Sequence, residues 1–204
     1  MKKSIITMAA LAVTVLASAN PFFHYKEWKT PHKTYPFNEI KPEHYMPAFK
    51  AAIAANEAEI DAIVNNPEAP TFANTIEALD RSGELLDKVV GVFFNVLEAD
   101  GNDEMNKIAE EVTPLLSALS DGIILNDKLF QRVKAVYEQR EELGLNDEQM
   151  RLLTETFKSF ANNGANLPED KKARLKEINQ ELGLLSLQFG NNVVAETNAY
   201  QLFI

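Results

Sequence analysis

The chain has no cysteine, only three histidines, eight glycines and one tryptophan in 204 residues. Without cysteine it forms no disulfide, offers no thiolate nucleophile and carries no lipidation box. Helical zinc hydrolases need histidines four apart on one helix face, with a glutamate after the first. His24, His32 and His44 are not spaced that way, and none is followed by glutamate. Gly101, Gly122 and Gly164 stand alone, so no glycine-rich phosphate loop exists. There is no G-x-S-x-G elbow; Ser82-Gly83 is followed by Glu84 in a helical setting. Basic residues are outnumbered 20 to 30, for a formal charge of −10. Such a chain repels phosphate backbones, which argues against a nucleic-acid partner.

The hydrophobic fraction of 46% and charged fraction of 25% are ordinary for a globular protein. A chain of this size buries roughly 70% of its unfolded surface, so its fold requires neither a disulfide nor a metal. Lys2 and Lys3 precede an apolar run from Ile5 to Leu16, and Ala17-Ser18-Ala19 supplies small residues at a cleavage site. Residues 1–19 are therefore expected to be a secretory signal peptide. The apolar run is too short to cross about 30 Å of hydrocarbon comfortably, so no stable membrane insertion is expected after cleavage. Cleavage removes two lysines and no acid, taking the charge from −10 to −12.

Residues 20–41 hold Pro21, Pro31 and Pro36, followed by Pro42, with Phe22, Phe23, Tyr25, Trp28, Tyr35 and Phe37 among polar residues. This composition suggests an extended arm whose aromatics lie on a helical body. From Pro42 onward the apolar spacing is helical. Met46, Phe49, Ile53, Ile60 and Ile63 mark one face, ended by Asn65-Asn66-Pro67. Thr71 can cap the stripe Phe72, Ile76, Leu79. Leu86 to Leu97, Met105 to Leu119 with Pro114 inside it, and Leu129 to Tyr137 continue the pattern. Proline removes an internal hydrogen bond, so a kink is expected at Pro114. Asn146 with Gln149 reads as a capping box, and Gly164 suits the left-handed position ending the helix. After Pro168, in a first helical turn, Leu175, Ile178, Leu182, Leu185 and Phe189 form a seam suited to one neighbouring helix. No segment alternates with period two. The fold expected is all-α, an array of six or seven helices with short connections.

No active site emerges from these residues: no catalytic, cofactor-binding or metal-binding position is assigned. Glu110-Glu111 and Glu141-Glu142 point in different directions on their helices and read as solvated faces. Phe93-Phe94 could line a peptide-binding wall, but their helical spacing with Val89, Val90 and Leu97 reads as core. The final Phe203-Ile204 carries no terminating signal, and reads as a buried terminal tuck or a cut through a longer protein.

Several segments carry a family resemblance. Asn20-Pro21-Phe22-Phe23, His44-Tyr45-Met46-Pro47-Ala48-Phe49 and Asn74-Thr75-Ile76-Glu77-Ala78-Leu79 resemble the start of bacterial peptidyl-dipeptidases (dipeptidyl carboxypeptidases). So do Ser82-Gly83-Glu84-Leu85-Leu86, Val92-Phe93-Phe94 and Leu125-Asn126-Asp127-Lys128-Leu129-Phe130. Phe189-Gly190-Asn191-Asn192-Val193 is similar to a segment shared with oligopeptidase A and thimet oligopeptidase. The resemblance implies a two-lobed zinc metallopeptidase, mostly helical, that takes short peptides into a channel and releases C-terminal dipeptides. It implies zinc held by H-E-x-x-H and a downstream glutamate, none of which this chain contains. Residues 42–204 are then expected to be the helical N-terminal lobe of an exported, periplasmic enzyme. Ile204 is expected to be a cut point, and the chain alone inactive. The competing expectation is a stand-alone periplasmic module that binds peptides or acts as a chaperone.

Overall fold

The computed structural model describes residues 20–27 and 29–201. The expected signal peptide, Trp28 and Phe203-Ile204 lie outside the described residues. Six α-helices account for most of the chain: α1 Pro42–Val64, α2 Glu84–Asp100, α3 Asp103–Ile124, α4 Asp127–Glu138, α5 Asp147–Asn162 and α6 Glu169–Ala199. Among the described residues there is no strand. The all-α class expected from the spacing is what the structure has.

The described chain divides into two compact units, where the sequence suggests an arm and a single lobe. One runs to Asn56 and resumes at Gly83–Ile108; the other is Glu57–Ser82 and everything from Ala109. Two of the boundaries fall inside α1 and α3, and the third lies in the turn just before α2.

In the first unit the segment expected as an arm contains two 3-10 turns. Residues Pro21–Glu27 and Pro31–Lys33 are 3-10 turns, the first interrupted at His24. Asn20 starts the first turn. Its side-chain oxygen accepts from the Phe22 amide at 3.1 Å, and its amide donates to the His44 carbonyl at 2.8 Å. Pro21, with φ preset near the helical value, follows directly. The turn delivers Phe22 into the core, where it is wholly buried. Phe22 meets Tyr45 at 5.7 Å between ring centres, and Phe93 sits edge-on to Tyr45 at 4.9 Å and to Phe49 at 5.3 Å. Burial raises the Tyr45 hydroxyl's pKa above the usual tyrosine value.

The second unit is built on Ile60, Ile63, Ile76, Leu129, Val133 and Leu153, with Phe130 stacked against Phe157 and Phe160. Thr71 caps a π-helical turn, Phe72–Glu77, with Asn74 closing a reciprocal box. The Asn146–Gln149 capping box of α5 forms as expected. Gly164 adopts φ +98°, the left-handed conformation expected after α5. Pro168 stands one place earlier than expected, at the N-cap of α6, so α6 begins at Glu169. Pro114 lies within α3, which continues unbroken to Ile124.

One expectation about packing fails. Ile178, Leu182, Leu185 and Phe189 of α6 are exposed, Phe189 by 72%. Among the described residues no helix covers this seam. The opposite side of α6 is the packed one: a Cβ on Gly183 would stand 3.2 Å from Thr113 of α3. Spacing identifies an apolar face but not its partner.

Candidate functional site

The histidines do not converge. His24 and His32 are exposed. His44 is used structurally: its Nδ1 accepts from the Lys41 amide at 3.1 Å, and its carbonyl takes the Asn20 amide. Among the described residues no three His, Asp or Glu side chains gather as a metal site. The donors present therefore do not fit the zinc site of the resembled peptidases, which needs two histidines and a carboxylate. Glu110, Glu111, Glu141 and Glu142 are exposed, in keeping with solvated faces. Phe93 is core and Phe94 half-buried beside it, their rings 5.0 Å apart. No described helix is long and apolar enough to cross a membrane.

The second unit does contain a cavity, of about 560 Å³, between the last turns of α3 and α5 and the flank of α6. Asp121, Asn166, Asn179 and Ser159 line its polar side, Ile124 and Leu175 its apolar side. Asp121 is 7% exposed, and its Oδ1 accepts from the Asn179 amide at 2.7 Å. A shallower groove of about 400 Å³ lies between α1 and the π-helical turn, with Glu59, Asn66, Asn74 and Arg81 on its walls. Neither was legible in the sequence. Asp121 lies off the Met105–Leu119 stripe and looks like any solvated acid until α6 closes over it.

Two residues hold this unit's connections. Arg132 donates from Nη1 to the carbonyls of Asn66 at 3.1 Å and Glu68 at 3.2 Å, and from Nη2 to Asn74 Oδ1 at 3.2 Å. Lys172 of α6 is 3% exposed and pairs with Asp127 and Glu169 while donating to the Leu125 carbonyl. Desolvation alone would lower the lysine's pKa, but the hydrogen bonds it donates to the two carboxylates, with their negative charge, outweigh it and hold the pKa above the ordinary value.

The described residues thus form two helical units, the second of which holds these cavities. No family model matches the chain. It is 44% identical over 169 residues to the dipeptidyl carboxypeptidase of Salmonella typhimurium, covering 83% of this chain and 25% of that protein. Against the dipeptidyl carboxypeptidase of Escherichia coli it is 40% identical over 180 residues, covering 88% of this chain and 26% of that protein. Oligopeptidase A of Salmonella typhimurium follows at 26% over 162 residues, covering 79% of this chain and 24% of that protein. The chain is homologous to the dipeptidyl carboxypeptidases, with oligopeptidase A related at lower identity, and spans about a quarter of the length of these relatives.

Proposed function

We propose that this chain is the helical N-terminal lobe of an exported zinc peptidase that removes dipeptides from the C-terminus of short peptides. In this reading it borders the substrate channel and supplies no catalytic group. The observation that carries the reading is the 44% identity over 169 residues to a protein named dipeptidyl carboxypeptidase, of which those residues are one quarter. The exposed α6 seam supports it, because an uncovered apolar stripe marks a surface built to meet more protein. In this reading zinc is held outside the quarter that this chain matches, and short peptides are the expected substrates of the whole enzyme. Export and a periplasmic location rest on residues 1–19 alone.

The test is a chimaera. The matching quarter of the Escherichia coli dipeptidyl carboxypeptidase is replaced by this chain, and dipeptide release from blocked tripeptides is followed by mass spectrometry. A folded chimaera that retains zinc-dependent release supports the lobe assignment. A folded, zinc-loaded chimaera without turnover counts against it. The purified chain by itself is expected to release nothing with added zinc; chelator-sensitive release would overturn the non-catalytic role.

A further inference from the structure

The cavity between α3, α5 and α6 holds a buried acid. Asp121, the one carboxylate among its described lining residues, is more than nine-tenths buried and accepts a hydrogen bond from the Asn179 amide. An ionised carboxylate offers about four lone-pair sites and is costly to bury without a counter-charge. Among the described residues no lysine, arginine or histidine forms an ion pair with Asp121.

The surrounding backbone has the same sign. The lining residues come from the last turns of α3 and α5 and the turn that follows α5. Helix C-termini carry the negative end of the peptide dipoles and are ordinarily matched by basic side chains. Neither of these helices has a basic residue in its last turn. Lys172 reaches the Leu125 carbonyl just beyond α3, but it is committed to Asp127 and Glu169 and does not line the cavity. A buried acid and the C-terminus of α5 therefore face a space that no cation lines, while Lys172 serves the end of α3 from outside it.

The remaining walls select the kind of cation. Hard divalent metals take six or more oxygens, usually from several carboxylates, and this cavity has one. Ile124, Leu167 and Leu175 instead provide an apolar side beside the acid, which suits a charged head on an aliphatic stem. Asn166 and Asn179 offer amide oxygens for its N–H groups. The volume of about 560 Å³ is that of a small-ligand site.

We propose that this cavity binds a guanidinium or ammonium group on an aliphatic stem, as in an arginine or lysine of a peptide, with Asp121 as its counter-ion. The proposal stands on the second unit's geometry and does not depend on the peptidase reading.

The probe is N-acetyl-arginine amide, titrated into the labelled chain while the side-chain amide NMR signals of Asn166 and Asn179 are followed. Saturable shifts are expected, weakened by added salt. The neutral isostere N-acetyl-citrulline amide should bind at least about tenfold more weakly. Asp121→Asn keeps an acceptor for Asn179 and should lose a comparable factor. Asn166→Lys, on the exposed turn, leaves Asp121 intact and should block binding by supplying a resident cation. Equal binding of the citrulline compound, binding that survives both substitutions, or no saturable shift by a folded chain would each overturn the proposal. Tighter binding of calcium ions than of the arginine compound would overturn it in favour of a metal site.

Discussion

Lys172, buried in the first turn of α6, donates to the carboxylate of Asp127 in the first turn of α4, 45 positions earlier in the chain. A cation in a first helical turn opposes the helix dipole. Here it is tolerated because Asp127 and Glu169 both face it. Both carboxylates are largely exposed, so the bridge is screened on one side and its net contribution is modest.

Lys172→Met fills the same space without the charge. It is expected to lower the unfolding free energy by about 1 kcal/mol at neutral pH, measured by urea denaturation. The folded-state pKa of Lys172 is raised, so its contribution is complete below the unfolded value of about 10.4 and disappears as pH climbs through the folded one. The gap between wild type and Lys172→Met should be flat through neutral pH and shrink above about pH 10.5. A gap that persists undiminished in strong alkali would assign the effect to stem packing alone.

Arg132 ties the segment after α1 to α4 through two carbonyls and the Asn74 side chain. Arg132→Ala strands these acceptors and removes a buried charge-assisted set, for an expected loss of about 2–3 kcal/mol. Arg132→Lys should recover little of it, since one ammonium does not span three acceptors arranged for a planar fork. Full rescue by lysine in denaturant titrations would show that charge, not geometry, matters there.

Local signals were the legible part of this fold. The Asn146–Gln149 box, the Thr71 cap and the left-handed Gly164 depend on residues within a few positions of each other, and each forms. Long-range chemistry was not legible. Lys172 and Asp121 look like surface charges in the sequence; both are buried because α6 returns across α3 and α4. Within residues 20–41 the prolines that argue against α-helix are compatible with 3-10 turns, the first of which Asn20 initiates through its own side chain. Asp121 and its cavity belong to no motif and could be found only in three dimensions.

Gly164 and Gly144 separate backbone strain from crowding. Both have positive φ, +98° and +62°. A Cβ on Gly164 would stand 2.6 Å from Leu175 Cδ2, whereas one on Gly144 meets nothing within 4 Å. Gly144→Ala should cost about 1 kcal/mol, from the left-handed conformation alone. Gly164→Ala adds overpacking and should cost about 2–4 kcal/mol. Equal losses in thermal melts would mean that Leu175 yields freely.

The exposed seam of α6 gives the test that bears most directly on what the chain is for. Ile178, Leu182, Leu185, Phe189 and Val193 recur at helical spacing and remain open to solvent. Charging an exposed apolar position removes no buried contact, so Leu182→Glu and Phe189→Glu should each change unfolding free energy by less than about 0.5 kcal/mol. The same substitutions should reduce binding of an apolar dye and any self-association seen by sedimentation, because they interrupt the stripe. In the peptidase chimaera the outcome should reverse: a face covered by the remaining protein should lose about 2 kcal/mol or more per substitution. Neutrality in both settings would mean that nothing covers this seam, and would remove the α6 support for the lobe reading.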